Sequence, residues 1–118
     1  MSITFEIVHI IYSLSRLVER ELNLSHNNLS YFLNYIIEME LINPYLEKLS
    51  LVSCKIDDEQ ILQLSDSKKL VQLTHFDLSA NLIERNFTVI TKVLKEKCDF
   101  LQEFMLAGNK GLKKVQNF

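Results

Sequence analysis

Apolar residues recur along this chain in a pattern that is repeated four times. In each copy one polar residue separates two apolar residues, an alternation that predicts a short strand with both apolar side chains on one face. The copies begin at Leu22, Leu49, Phe76 and Phe104, so they are spaced by 27, 27 and 28 residues. A period of this length indicates supersecondary units that stack on one another to bury their apolar faces.

Two further columns of this alignment keep the same chemical character in all or most repeats. The second apolar column consists of Leu24, Leu51, Leu78 and Leu106. Three residues further on, a small polar column consists of Asn27, Cys54, Asn81 and Asn109. An Asn side chain at this place can bond backbone groups of the turn that follows each strand and can bridge to the next unit. A Cys fits the same space and donates a weak hydrogen bond.

The segments between the strands have helical periodicity. Residues 31–41 and 87–94 each carry an apolar stripe at helical spacing. Between them, Asp57 and Gln60 resemble a capping box at the start of another helix. Residues 3–17 have the same spacing one period before the first of these segments, so they are expected to form an N-terminal capping helix.

This pattern resembles that of leucine-rich repeat proteins. Their repeat, L-x-x-L-x-L-x-x-N/C-x-L, is carried in full by residues 46–56 and 73–83. Residues 101–112 carry it with one insertion, and residues 22–29 carry it without the leading Leu. The spacing and the Asn/Cys column are similar to those of the ribonuclease-inhibitor-like class. The resemblance implies an α/β solenoid of about four repeats, with a curved parallel sheet on the concave side and helices on the convex side.

Length and resemblance together predict one leucine-rich repeat domain over residues 1–118. Its expected parts are a capping helix (1–18), three repeats (19–45, 46–72 and 73–100) and an incomplete last repeat with its tail (101–118). The last part is too short for a return helix, so we expect apolar side chains at this end to be partly exposed and available for self-association, unless Val115 and Phe118 fold back and cover some of them. The residues expected to be exposed are Leu101, Phe104 and Leu106, with Ile90 and Leu94 on the neighbouring helix face.

Strand alternation also predicts which residues form the concave surface. The side chains next to the apolar positions of each strand should face it, and parallel neighbours should form rows across the sheet. The candidate partner-binding residues are Glu21, Asn23, Ser25, Lys48, Ser50, Val52, His75, Asp77, Ser79, Glu103 and Met105. A further row at the strand ends consists of His26, Ser53, Ala80 and Gly108. The first row places Lys48 between Glu21 and His75, with Glu103 beyond, an arrangement that is typical both of a solvated charge ladder and of a specificity stripe for a partner.

Catalysis is not predicted. Ser50, His75 and Asp77 share a face, but His75 and Asp77 should lie about 6.6 Å apart along one strand, too far for the orienting hydrogen bond of a triad. His9, His26 and His75 fall in different parts of the repeat array, so no shared metal site and no cofactor are expected. The glycine-containing segment 107–111 lacks the full phosphate-loop pattern.

The amino-acid composition narrows the class of protein further. The chain is 47% hydrophobic and 24% charged, as in ordinary soluble globular proteins, and its formal net charge of −2 provides no general field for nucleic acid or an acidic membrane. Two cysteines are too few for a disulfide scaffold. The N-terminal apolar run resembles neither a signal peptide nor a membrane span, so a cytoplasmic location is expected, or the host cytosol for a delivered effector.

The sequence therefore predicts a non-catalytic module that binds another protein on its concave face, in the manner of an adaptor, inhibitor or effector. The alternative is a structural fragment or assembly subunit that stacks through its open C-terminal end. A third possibility, an accessory protein that uses Lys110, Lys113 and Lys114 to bind nucleic acid or a membrane surface, is weak because no aromatic residues alternate with these lysines.

Overall fold

In the part of the chain that the structure describes, four short parallel strands pair in chain order and form one sheet. In the computed structural model, which describes residues 20–30, 33, 45–64 and 70–110, two helices accompany them. The elements are β1 (Glu21–Asn23), β2 (Lys48–Ser50), α1 (Asp58–Leu64), β3 (His75–Asp77), α2 (Phe87–Lys97) and β4 (Glu103–Met105). Parallel neighbours require a crossover connection, and α1 and α2 lie in two of these connections.

The register of the sheet follows the columns of the sequence alignment. Leu22 pairs with Leu49, Leu49 with Phe76, and Phe76 with Phe104. The predicted strand positions are therefore confirmed, because every apolar position of the first column lies beside its counterpart in the next repeat. A parallel sheet with helical connections fits an α/β leucine-rich repeat fold.

The core lies under the apolar positions of the strands and receives the inner faces of both helices. Leu51, Phe76 and Leu78 are fully enclosed, and so are Ile61 from α1 and Ile90 from α2. The remaining buried apolar residues of this cluster come from the same columns and from the segments that follow them. Since each repeat contributes the same few positions, the core runs continuously from one repeat to the next.

Helix α1 begins with the capping box that the sequence predicts. The backbone N–H of Gln60 donates to Oδ1 of Asp57 at 2.9 Å, and the N–H of Asp57 donates to Oε1 of Gln60 at 3.1 Å. The amide nitrogen of Gln60 then donates to the carbonyl oxygens of Leu29 and Ser30 in the preceding repeat, at 3.1 and 2.7 Å. This cap therefore fixes the start of the helix and also ties two repeats together.

Helix α2 begins without a side-chain cap. Asn86 occupies the N-cap position but makes no capping hydrogen bond. Lys95 and Lys97 lie in the last turn, where positive charge is favourable to the helix dipole. The helix predicted over residues 31–41 and the capping helix predicted over 3–17 lie outside the described residues, except for Leu33, which is helical and buried.

The expected exposure of the C-terminal end is wrong for four of its five residues. Phe104 and Leu106 are 8% and 9% exposed, while Ile90 and Leu94 are fully enclosed in the core. The ring of Phe104 stacks on that of Phe76, with centroids 5.7 Å apart, and Leu106 joins the same apolar cluster. Only Leu101 is half-buried at the edge of this cluster, as the sequence analysis expected.

Candidate partner-binding face

The outward-pointing side chains of the four strands form one polar surface, which we call the strand face. Its first row runs from Glu21 through Lys48 and His75 to Glu103, in the register of the sheet. Its second row, in the same register, consists of Asn23, Ser50, Asp77 and Met105. None of these eight side chains is buried, because strand alternation turns them away from the core.

Three other candidate residues extend the strand face just past the strands. Ser25, Val52 and Ser79 are half-buried in the turns that follow β1, β2 and β3. The hydroxyl groups of Ser25 and Ser50 lie 2.8 Å apart and share a hydrogen bond, and Oγ of Ser25 accepts the backbone N–H of Val52 at 2.9 Å. These contacts hold the first two repeats together along the edge of the face.

The charges of the first row separate into two pairs. Nζ of Lys48 lies 3.4 Å from Oε1 of Glu21, and Nε2 of His75 lies 3.4 Å from Oε2 of Glu103. A third pair, Arg20 with Glu47 at 3.4 Å, lies beside the row. Because these side chains are largely solvated, each pair contributes about 0–1 kcal/mol to stability and mainly sets the pattern of charge on the surface.

The orientation of the His75 ring is fixed by the residue before it. The hydroxyl of Thr74 has one hydrogen, which it donates to the carbonyl oxygen of Glu47 at 3.1 Å. Its oxygen also lies 2.8 Å from Nδ1 of His75, and the two groups share a hydrogen bond. The other ring nitrogen, Nε2, faces Oε2 of Glu103 at 3.4 Å.

Two side chains of the second row are each fixed by a turn of the same type. Oδ1 of Asn23 accepts the backbone N–H of Ser25 at 3.0 Å, and Oδ1 of Asp77 accepts that of Ser79 at 2.9 Å. Both are Asx turns, in which the side chain bonds the backbone two residues further on. The equivalent positions of repeats one and three therefore differ in charge but share their geometry.

An open depression of about 450 Å³ lies over the middle of the strand face. Residues from all four strands line it, from Glu21 on β1 to Met105 on β4. The exposed thioether of Met105 is the one apolar side chain among the eight outward-pointing strand residues. The depression therefore presents charged, amide and hydroxyl groups together with one apolar contact.

Ser50, His75 and Asp77 are not joined by hydrogen bonds. The hydroxyl of Ser50 bonds Ser25, the ring nitrogens of His75 face Thr74 and Glu103, and Oδ1 of Asp77 holds the backbone of Ser79. Nucleophilic catalysis by a triad requires the base to contact both of its partners. The arrangement of these three residues therefore provides no activated nucleophile.

Behind the strand face, the Asn/Cys column links successive repeats. Oδ1 of Asn81 accepts the backbone N–H groups of Cys54 and Ile56 at 2.9 and 3.1 Å, and its amide nitrogen donates to Leu51 and Leu78 at 2.8 and 2.9 Å. Asn109 repeats this arrangement, with a bond from the N–H of Ile83 at 3.1 Å. These side chains bridge to the preceding repeat, whereas the sequence analysis expected a bridge to the next one.

The other two members of the column make fewer bonds. The thiol of Cys54 donates to the carbonyl oxygen of Leu24 at 3.2 Å, across the boundary between repeats one and two. The amide nitrogen of Asn27 donates to Leu24 and Ser25 within its own repeat at 3.0 and 3.3 Å. Oδ1 of Asn27 is buried and accepts no hydrogen bond from the residues that the structure describes. This oxygen occupies the place from which Asn81 and Asn109 reach the preceding repeat.

The row at the strand ends is a set of left-handed turn positions, which the sequence analysis did not recognise. His26, Ser53, Ala80 and Gly108 have φ angles of 66°, 55°, 57° and 78°. Glycine adopts such angles without a steric penalty, so Gly108 was the residue from which the positive φ of this column could have been predicted. Each of these residues lies three positions after its strand and immediately before the Asn/Cys column.

Both cysteines are buried and act as small core side chains. Burial raises the pKa of the Cys54 thiol despite opposing backbone hydrogen bonds, and burial with the nearby Asp99 carboxylate raises that of Cys98. Neutral thiols are poor nucleophiles and poor metal ligands. Within the described ranges no group of three or more His, Cys, Asp or Glu side chains could hold a metal ion, and no helix there is long and apolar enough to cross a bilayer.

Comparison with protein-family models identifies leucine-rich repeats in two parts of the chain. Residues 20–39 match one Leucine Rich Repeat model, and residues 43–59 match another. Neither the curated proteins nor the solved structures contain a significant match to the chain. The two matches cover β1 and β2 and support a leucine-rich repeat protein, and domains of this kind generally mediate protein–protein interactions.

Proposed function

We propose that this leucine-rich repeat chain is a non-catalytic interaction module that binds a partner protein on the strand face, as an adaptor, inhibitor or effector does. The observation that carries the proposal is the strand face itself. Eight side chains from four strands stand in two rows around an open depression, and Asx turns hold those of Asn23 and Asp77 in position. A polar surface with pre-oriented groups suits recognition of another protein because these groups need little ordering on binding.

The curvature and class of the fold belong to the same proposal. We infer that the four units stack as a solenoid of the ribonuclease-inhibitor-like class and that the strand face is its concave side. The period of 27–28 residues and the Asn/Cys column that bonds between repeats support this inference. Four parallel strands span only about 14 Å between the outer strands, so the face offers a small footprint and a modest affinity.

A charge-reversal experiment tests whether the strand face is the site. The double variant Lys48→Glu/Asp77→Lys changes two of its charges, while Lys92→Glu changes an exposed charge on α2. In pull-downs from extracts of the source and of a host, we expect the wild type and Lys92→Glu to retain the same partner and the double variant to lose it. If both variants lost the partner equally while their circular dichroism spectra matched that of the wild type, the result would contradict the proposal.

Photo-cross-linking provides a second test with a closely matched control. Met105 on the strand face and Val89 on α2 are 41% and 49% exposed, so either accepts a benzoylphenylalanine side chain without disturbing the core. Cross-links to the retained partner should form from position 105 and be absent from position 89. Cross-linking from position 89 alone would place the interaction on the helices and overturn the proposal.

A further inference from the structure

The charges on the strand face leave one carboxylate without a partner. Glu21 and Glu103 each lie 3.4 Å from a basic nitrogen, and so does Glu47 at the edge of the face. Asp77 forms no ion pair with any side chain of the described residues. It is therefore the place on this surface where an added positive charge meets an unopposed negative one.

The carboxylate of Asp77 is held in position but is only partly used. Oδ1 accepts the N–H of Ser79 at 2.9 Å, which fixes the side chain in its turn. Oδ2 makes no hydrogen bond with another described residue, and Asp77 lines the open depression. A pre-oriented acceptor next to an open space can receive a charged donor at a low cost in conformational entropy.

The neighbour of Asp77 on β4 is suited to the stem of a long basic side chain. Met105 is in register with Asp77 and is 41% exposed. Lysine and arginine side chains lay their methylene groups on apolar surface while their charged ends reach a polar group. A thioether is flexible and polarisable, so Met105 can adapt to either stem.

We propose that the partner protein anchors on the strand face with a basic side chain, arginine or lysine, that pairs with Asp77 and packs its methylene stem on Met105. This inference rests on the proposed function and specifies the kind of partner. An acidic partner would instead meet a face on which the carboxylates of Glu21, Asp77 and Glu103 outnumber the ammonium group of Lys48. The charge of the face thus favours a basic segment over an acidic one.

The chain itself supplies an isosteric variant for the test. Asn23 occupies the equivalent position in repeat one and makes the same Asx turn with its amide oxygen. Asp77→Asn should therefore keep the turn and the fold while removing the charge. The reverse change, Asn23→Asp, adds a carboxylate at the equivalent place, and Ser50→Arg fills the depression between them.

Selection from a random dodecapeptide phage library against the whole immobilised chain provides the probes. We expect the selected peptides to share one position occupied by Arg or Lys. Replacing an Arg at that position by citrulline should weaken binding to the wild type about tenfold, within the range for a hydrogen bond to a charged group. The same replacement should change binding to Asp77→Asn less than about twofold, because the charge that it would pair with is gone.

The outcomes separate this inference from the proposed function. Selected peptides without a basic position, or an equal citrulline effect in the wild type and Asp77→Asn, would overturn the basic anchor. If the peptides nevertheless failed to bind the Ser50→Arg variant, the strand face would remain the binding site. Peptides unaffected by Ser50→Arg, or a selection without enrichment, would count against both. A gain in affinity for basic peptides in Asn23→Asp would support the pairing of charge with charge.

Discussion

Asn81 and Asn27 occupy the same column but have different surroundings. The side chain of Asn81 makes five hydrogen bonds, three of them to the preceding repeat. That of Asn27 makes two, both within its own repeat, and its amide oxygen is buried without a partner. Equivalent Asn residues therefore differ in the number of hydrogen bonds that they make to other described repeats.

Replacing these two residues should reveal the difference. Asn81→Ala leaves the buried N–H groups of Cys54 and Ile56 without an acceptor, so we expect a loss of about 3 kcal/mol in the free energy of unfolding. Asn27→Ala removes two bonds and an unsatisfied oxygen, and it should cost about 1 kcal/mol or less. Urea denaturation measures both, and equal losses would show that the bonds between repeats contribute nothing specific.

The left-handed turn position offers a way to stabilise the protein. Ala80 has a φ of 57°, which strains any residue with a Cβ atom. Ala80→Gly relieves this strain and should raise the free energy of unfolding by about 0.5–1 kcal/mol, after the entropic cost of glycine. Ala107→Gly, at an exposed turn position without positive φ, is the control and should lower it. A loss of stability in both variants would contradict the argument.

At the scale of elements, the first residue of α1 positions the segment that leads into α2. Oδ1 of Asp58 accepts the backbone N–H of Glu84 at 2.8 Å, and Oδ2 accepts those of Arg85 and Asn86 at 2.9 and 2.8 Å. Burial alone would raise the pKa of Asp58, but these hydrogen bonds outweigh it and lower the pKa. The uncapped start of α2 is thus held by a carboxylate from the preceding repeat.

This contact should make part of the stability depend on pH. Because the folded-state pKa of Asp58 is lowered, its contribution is present above the unfolded-state pKa, near 4, and is lost as the pH falls through the folded-state pKa. Asp58→Asn should cost about 1 kcal/mol at pH 7, a modest figure because the carboxylate is partly exposed. The difference from the wild type in urea denaturation should shrink in acid, and a difference that stays constant as the pH falls would contradict this role of Asp58.

The second apolar column is the main source of packing in each repeat. Leu78 is fully enclosed, so Leu78→Ala should cost about 2–5 kcal/mol in denaturant unfolding. Leu82, four residues later, is 49% exposed, and Leu82→Ala should change stability by no more than about 0.5 kcal/mol. A loss below about 1 kcal/mol for Leu78→Ala would mean that this residue does not fill a packed core.

At the scale of the whole molecule, the core becomes slightly more open towards β4. Leu78 and Phe76 in repeat three are fully enclosed, whereas Leu106 and Phe104 are 9% and 8% exposed. This small gradient replaces the open apolar patch that the sequence analysis expected at the C-terminal end. Among the described residues of this end, Phe100 is 57% exposed beside the half-buried Leu101, so the apolar surface left to drive stacking is small.

We accordingly expect the chain to be monomeric. Light scattering across a dilution series should give a constant mass near 13.8 kDa. Leu101 is the half-buried member of this end, so Leu101→Glu is the control variant and should leave the mass unchanged. A dimer at high concentration that this substitution dissociates would restore self-association through the C-terminal end.

The sequence by itself determined the parts of this protein that depend on local repetition. Leu-x-Leu at a fixed period specifies the strands, their order and their register, because a shift by one residue would expose every apolar side chain. It also placed Asp77 and Met105 on the outward face, since alternation along a strand follows from backbone geometry. The capping box of Asp57 and Gln60 was readable for the same reason.

The tertiary structure decided whatever depends on contacts between repeats. Contacts between residues 26–28 positions apart pair Lys48 with Glu21 and His75 with Glu103, and they join Asp58 to the next repeat. These pairings leave Asp77 without an ion-pair partner among the described residues. The burial of Phe104 also depends on such a contact, with Phe76. A local pattern brings these residues into the same row, but only packing in three dimensions determines which neighbour each side chain bonds.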